Sequence, residues 1–157
     1  MKAPSDRSDN LHVYFAYGSN MFTKRIEEKV GSVVVVGKGR LDGFALCFNK
    51  RAADGTGAAN FEPAIGQYVE GVLFGLTREQ LDILDTFEGT PDQYKRQIVE
   101  ITKHASSSVI HAVAYVTTEK GKSSHPVKPA SEYLALILAG AKEHGLNVDR
   151  IREVAKL

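Results

Sequence analysis

Leu11-His-Val-Tyr-Phe-Ala-Tyr-Gly-Ser-Asn20 is the stretch from which the fold reads most directly. A run dense in aromatic and β-branched side chains stops at Gly18 and gives way to small polar residues, the pattern of a strand entering a turn. Ser19 or Asn20 can cap a helix, and over residues 21–29 Met21, Phe22 and Ile26 share one face among Arg25, Glu27, Glu28 and Lys29. Outward from there, residues 33–36 and 44–48 read as two short strands that pair antiparallel, and residues 49–63, broken by Ala and Gly, as a long exposed or site-lining loop. Residues 68–76 form a further strand. Thr77 with Gln80 three residues on has the form of a capping box, opening a helix whose Leu81, Leu84 and Phe87 face the core and which ends at Gly89. Residues 93–103 and 109–118 read as a hairpin, with Val109, His111, Val113 and Tyr115 on one face by the period of two. Residues 131–144 form a helix stopped by Gly145, and Asn147 caps a last one with Ile151, Val154 and Leu157 on its apolar side. This order predicts one α+β domain around a strongly curved mixed sheet, over residues 11–157, behind a flexible leader at 1–10.

Composition narrows the function classes. The chain has 157 residues, 43% hydrophobic and 25% charged, with 20 Lys+Arg against 19 Asp+Glu and a net charge of +1. No apolar run approaches the roughly 20 residues of a bilayer-spanning helix. The polar start lacks the apolar segment of a secretory signal, so a cytoplasmic protein is expected. Near-neutral charge speaks against a nucleic-acid or anionic-membrane surface and for a small-molecule partner. The five histidines sit on different elements without metal-ligand spacing, so no metal site is expected. Cys47, alone, is read as a buried and inert thiol. Gly140-Ala141 permits the close approach of another helix, which a second subunit of a homodimer would satisfy.

Two places carry chemistry. Tyr17-Gly-Ser-Asn20 joins a strand end to a helix start, where free backbone N–H groups and the helix dipole form a small anion cradle. Glu88 sits at the C-terminal end of a helix, where unpaired carbonyls repel negative charge and raise a carboxyl pKa. Asp85 is read as a solvated side chain or local cap. His111 shares the face of Tyr115, though a satisfied strand histidine is the plainer reading.

Read together, His12-Val-Tyr-Phe-Ala-Tyr-Gly-Ser-Asn20 with Arg25, Arg40-Leu-Asp-Gly-Phe44, Val69-Glu-Gly-Val72, Leu84-Asp-Thr-Phe-Glu-Gly89, and Tyr133 with Gly140-Ala-Lys-Glu-His-Gly-Leu146 resemble a γ-glutamylcyclotransferase. The resemblance runs in order from about residue 11 to the end, and Tyr-Gly-Ser-Asn with Phe-Glu-Gly looks like the branch acting on γ-glutamyl amino acids. It implies a small mixed β-barrel with flanking helices, Glu88 as general acid/base, and Tyr17, Gly18, Ser19 and Asn20 as the substrate-binding loop. Tyr94, Tyr115 and Tyr133 match cavity-lining tyrosines, Tyr94 across a segment one residue shorter than the family pattern. The implied reaction is intramolecular: the substrate's α-amine attacks its own γ-amide carbonyl, giving 5-oxoproline and a free amino acid, with no cofactor. One carboxyl moves the proton from attacking to leaving amine, for which its pKa should rise from roughly 4.3 toward about 6–7; burial by Phe87 and the adverse helix end push that way. The cradle at 18–20 serves either the α-carboxylate or the oxyanion, and both stay open. A non-catalytic binder of small carboxylates and a cyclotransferase for γ-glutamylamines are the alternatives.

Overall fold

The computed structural model describes residues 11–156. Its elements are β1 (His12–Ala16), a 3-10 turn (Ser19–Met21), α1 (Thr23–Val30), β2 (Val34–Arg51), β3 (Gly57–Leu76), α2 (Arg78–Glu88), β4 (Tyr94–Lys103), β5 (Val109–Thr117), α3 (Ser131–Glu143) and α4 (Val148–Ala155). The expected leader and Leu157 lie outside the described residues. The strands close into a barrel in the order β1-β3-β2-β4-β5. β5 meets β1 in parallel through Tyr14 and Val113, and every other neighbour is antiparallel. The mixed, curved sheet is thus a small closed barrel, and the helices cover its outside.

The end of β1, Tyr14 to Ala16, and Tyr17 after it are buried, because closure puts one face inside the barrel and packing puts the other under helices. Phe15, Phe48, Phe74, Met21, Ile26, Leu84 and Ile137 are sealed from solvent in one continuous core.

Three expectations about the first half of the chain are corrected. The strand candidates at 33–36 and 44–48 belong to one long strand, β2, and do not pair with each other; both pair with β3. Register shifts between Val35 and Gly37, Asp42 and Phe44, and Cys47 and Lys50 bend this strand instead of ending it, the usual means by which a long strand wraps a barrel. The expected loop at 49–63 is the end of β2, a tight turn closed by Ala52 N–H to the Thr56 carbonyl, and the start of β3. Its small residues are sheet because their partners are, since strand preference follows context more than residue type. Ser19 and Asn20 do not cap α1: Phe22 is its N-cap without a side-chain bond, and both residues are buried in the turn before it.

Later elements follow the sequence more closely. Thr77 and Gln80 exchange side-chain to backbone bonds of 3.1 and 2.9 Å, completing the capping box, and Gly89 ends α2 in the left-handed conformation. Phe87, however, is 57% exposed: Leu81 and Leu84 already fill the buried stripe. β4 and β5 pair from Tyr94–Thr117 to Thr102–Val109. His111 is exposed beside Glu100 and is not among the residues lining the cavity with Glu88, whereas Tyr115 on the same face is buried and bonds to Asp85 on α2. Asp85 is no solvated side chain; it accepts from the Tyr115 hydroxyl and pairs with Arg96 at 2.8 Å. Cys47 is half-buried, and that burial pushes its thiol pKa up. Asn147 caps α4 by accepting from Asp149 and Arg150 N–H.

Gly140 makes its close approach within the chain. A Cβ there would lie 2.4 Å from the Phe22 nitrogen and 2.6 Å from the Met21 carbonyl carbon, so α3 presses directly on the turn that carries Ser19 and Asn20. No helix among the described residues is long and apolar enough to cross a membrane.

Candidate active site

A cavity of about 160 Å³ opens between β1, the 18–20 turn, the end of α2 and the start of α3. All eight residues singled out in the sequence line it: Tyr17, Gly18, Ser19, Asn20, Glu88, Tyr94, Tyr115 and Tyr133. They arrive on several elements. β1 ends at the rim, the turn folds across it, α2 delivers Glu88 as its last residue, and the hairpin and α3 bring the remaining tyrosines. Gly18 sits close to its neighbours: a Cβ there would stand 3.3 Å from the Ala59 Cβ, a tight contact, and 3.5 Å from the Tyr133 hydroxyl, an ordinary one.

Hydrogen bonds decide which groups remain available to a guest. Tyr17 donates to the Tyr115 carbonyl, Tyr115 to Asp85, and Tyr94 to the Ala59 carbonyl at 2.6 Å. Those three protons are committed. Tyr133 accepts from Ala59 N–H at 2.9 Å, Tyr14 accepts from the Asn20 amide at 3.1 Å, and Ser19 accepts from Arg25 Nε at 3.0 Å. Their own hydroxyl protons are therefore free to point into the cavity. Burial raises the pKa of Tyr14 and pushes Tyr133 up to about 12, so both stay neutral donors.

Glu88 Oε1 accepts from Asn20 Nδ2 at 3.2 Å. The carboxyl is turned into the cavity, and its burial raises its pKa against the opposing pull of Lys29, Arg25, Lys50 and the Asn20 amide. Cavity walls supply that burial, with the half-exposed Phe87 only at the rim. Three cations around one carboxyl leave the site with a positive balance suited to an anionic guest.

Tyr14 and Lys29 line the cavity and were passed over by the sequence reading, and Lys50 lies behind the lining with its ammonium on the Arg51 carbonyl at 2.6 Å. Lys29 follows Arg25 by four on α1, the spacing that puts two side chains on one helix face, and this was the available signal. Tyr14 reaches the cavity only because β1 closes the barrel. Lys50 is buried and stands 5.5 Å from the Tyr94 ring; it lies in the stretch read as a loop.

Comparison with known proteins bears on the family and the fold. The chain is 30% identical over 142 residues to the Bos taurus protein named γ-glutamylcyclotransferase, covering 87% of this chain and 73% of that one. It is 28% identical over 142 residues to the Homo sapiens protein of the same name, with the same coverage. A solved structure titled "Gamma-glutamyl cyclotransferase" superposes with a TM-score of 0.82 at 26% identity, across 94% of this chain and 88% of that one. With residues 14–135 matching the family described as "Gamma-glutamyl cyclotransferase, AIG2-like", the chain belongs to that family of enzymes.

Proposed function

We propose that the cavity cyclises the γ-glutamyl group of γ-glutamyl amino acids to 5-oxoproline and releases the amino acid, with Glu88 as acid and base in turn. The observation that carries this reading is a single carboxyl, the half-buried Glu88, lining a polar cavity together with Arg25 and Lys29, with its pKa raised by removal from water. As carboxylate, it takes a proton from the substrate's α-amine while the amine nitrogen bonds to the γ-carbonyl carbon. As carboxylic acid, it returns that proton to the departing amide nitrogen as the C–N bond breaks. A carboxyl poised above its ordinary value serves both steps better than one at about 4.3. Gly18–Asn20 and the free hydroxyls of Ser19, Tyr14 and Tyr133 offer donors for the α-carboxylate and for the oxyanion that develops on the γ-carbonyl. Holding amine and carbonyl in one bent substrate turns the attack into a proximity problem, which a snug cavity solves.

The test is release of 5-oxoproline from γ-glutamyl amino acids, γ-glutamyl-ε-lysine and glutathione, with a chelator control. Glu88→Gln should bind the same compounds and turn them over on the order of 10²–10⁴-fold more slowly. Equal rates for the variant and the parent would remove Glu88 from the mechanism. Saturable binding without turnover by the parent would favour a non-catalytic binder.

A further inference from the structure

Asn20 stands between a lysine and the carboxyl. Lys29 Nζ donates to Asn20 Oδ1 at 2.9 Å, and the other side of the same amide donates to Glu88 Oε1 at 3.2 Å and to the Tyr14 hydroxyl at 3.1 Å. An asparagine amide can sit either way round, and its neighbours choose. An ammonium group has donors only, so Lys29 can face nothing but the amide oxygen. That choice turns Nδ2 toward Glu88 and Tyr14, and it makes Tyr14 an acceptor whose own proton is left for the cavity.

We propose that Lys29 is a positioning residue for Glu88, acting through the side-chain amide of Asn20. This rests on the reading of Glu88 as the acid/base. Lys29 is itself held in place, with its ammonium 5.6 Å from the Phe87 ring centre, one residue before Glu88. Without the lysine, the amide can reverse and set its oxygen against the carboxylate, which disfavours the ionised form. Loss of the nearby positive charge acts in the same direction. The other charged groups facing Glu88 are Arg25 on α1 and Lys50 on β2. Tyr14, Tyr17, Tyr94, Tyr115 and Tyr133 face it from β1, β4, β5 and α3, and burial keeps them neutral throughout the working range. The acid limb of the rate profile therefore reports Glu88 under the influence of these three cations.

The experiment is the pH profile of kcat and KM for 5-oxoproline release by the parent, Lys29→Met, Lys29→Arg, Asn20→Ala and the double variant Lys29→Met/Asn20→Ala. In Lys29→Met the acid limb should move to higher pH and kcat fall roughly tenfold, and most of that loss should disappear in the Asn20→Ala background, as coupled residues require. Lys29→Arg, which keeps the donor and the charge, should restore the parent profile. A Lys29→Met profile that overlays the parent, or a change confined to KM, would overturn the assignment. So would effects of Lys29→Met and Asn20→Ala that simply multiply, since a through-space charge alone behaves that way. A ¹³C titration of the Glu88 carboxyl reads the same coupling without turnover. Its midpoint should rise in Lys29→Met and rise much less in the Asn20→Ala background, and an unmoved midpoint or an equal rise in both backgrounds overturns the inference even if the parent acts on none of the γ-glutamyl compounds.

Discussion

Glu88 ends α2 where backbone carbonyls disfavour a negative charge, and its half-buried side chain lines the cavity. Its raised pKa is a statement about stability as well as chemistry. The folded state binds the Glu88 proton more readily than the unfolded chain, so this group's contribution is fully favourable below the ordinary carboxylate pKa and is lost as pH rises through the raised value. Glu88→Gln should therefore melt at a higher temperature than the parent near pH 8, with a smaller gain near pH 5; thermal scans at both pH values check this. An equal or lower melting temperature at pH 8 would show that Lys29, Arg25 and Lys50 fully compensate the buried charge. The unfavourable placement of this acid was readable in the sequence, as were the turn and its glycine. The committed state of each tyrosine proton was not, because it depends on carbonyls and carboxylates far away in the chain, such as Tyr115 and Asp85.

At the level of elements, the site turn has no cap of its own and is held from behind by α3. The contact of Gly140 with the backbone at Met21 and Phe22 leaves no room for even one methyl group. Gly140→Ala should cost about 1–3 kcal/mol, the usual penalty of overpacking, and should also weaken turnover, because the displaced backbone carries Ser19 and Asn20. Denaturant unfolding and kcat/KM measured on the same preparation test both halves of this expectation. Capping boxes, glycine stops and the β4–β5 hairpin were legible because each is specified within a few residues. β2 was not: its glycines look like strand ends, and only the pairing of the whole length with β3 shows them to be bends. The same applies to residues 49–63, where Asn60 is sealed in the interior and satisfies Asn49, Glu62 and the Thr117 N–H at 2.9–3.0 Å. Buried asparagines are tolerated when every polar atom is paired, a condition that no local pattern reveals.

Over the whole molecule, the barrel separates support from chemistry. α4 packs by Ile151, which is 9% exposed, against the side of the barrel and against α3, away from the cavity. Ile151→Ala should cost about 2–4 kcal/mol by leaving a void while kcat and KM stay at parental values below the melting transition, as paired stability and kinetic measurements would show. A matching loss of activity would mean that α4 sets the cavity through α3. From the sequence alone came the elements from α2 onward, the α+β class, the caps of α2 and α4, the family resemblance and the two chemistry-bearing segments, all of which depend on short-range periodicity or on residues adjacent in the chain. Closure of the sheet, the bends of β2, the company of Tyr14, Lys29 and Lys50 around Glu88, and the orientation of Asn20 were decided by tertiary structure. Each of these requires a contact between residues whose spacing along the chain carries no period, so only the packed barrel could select it.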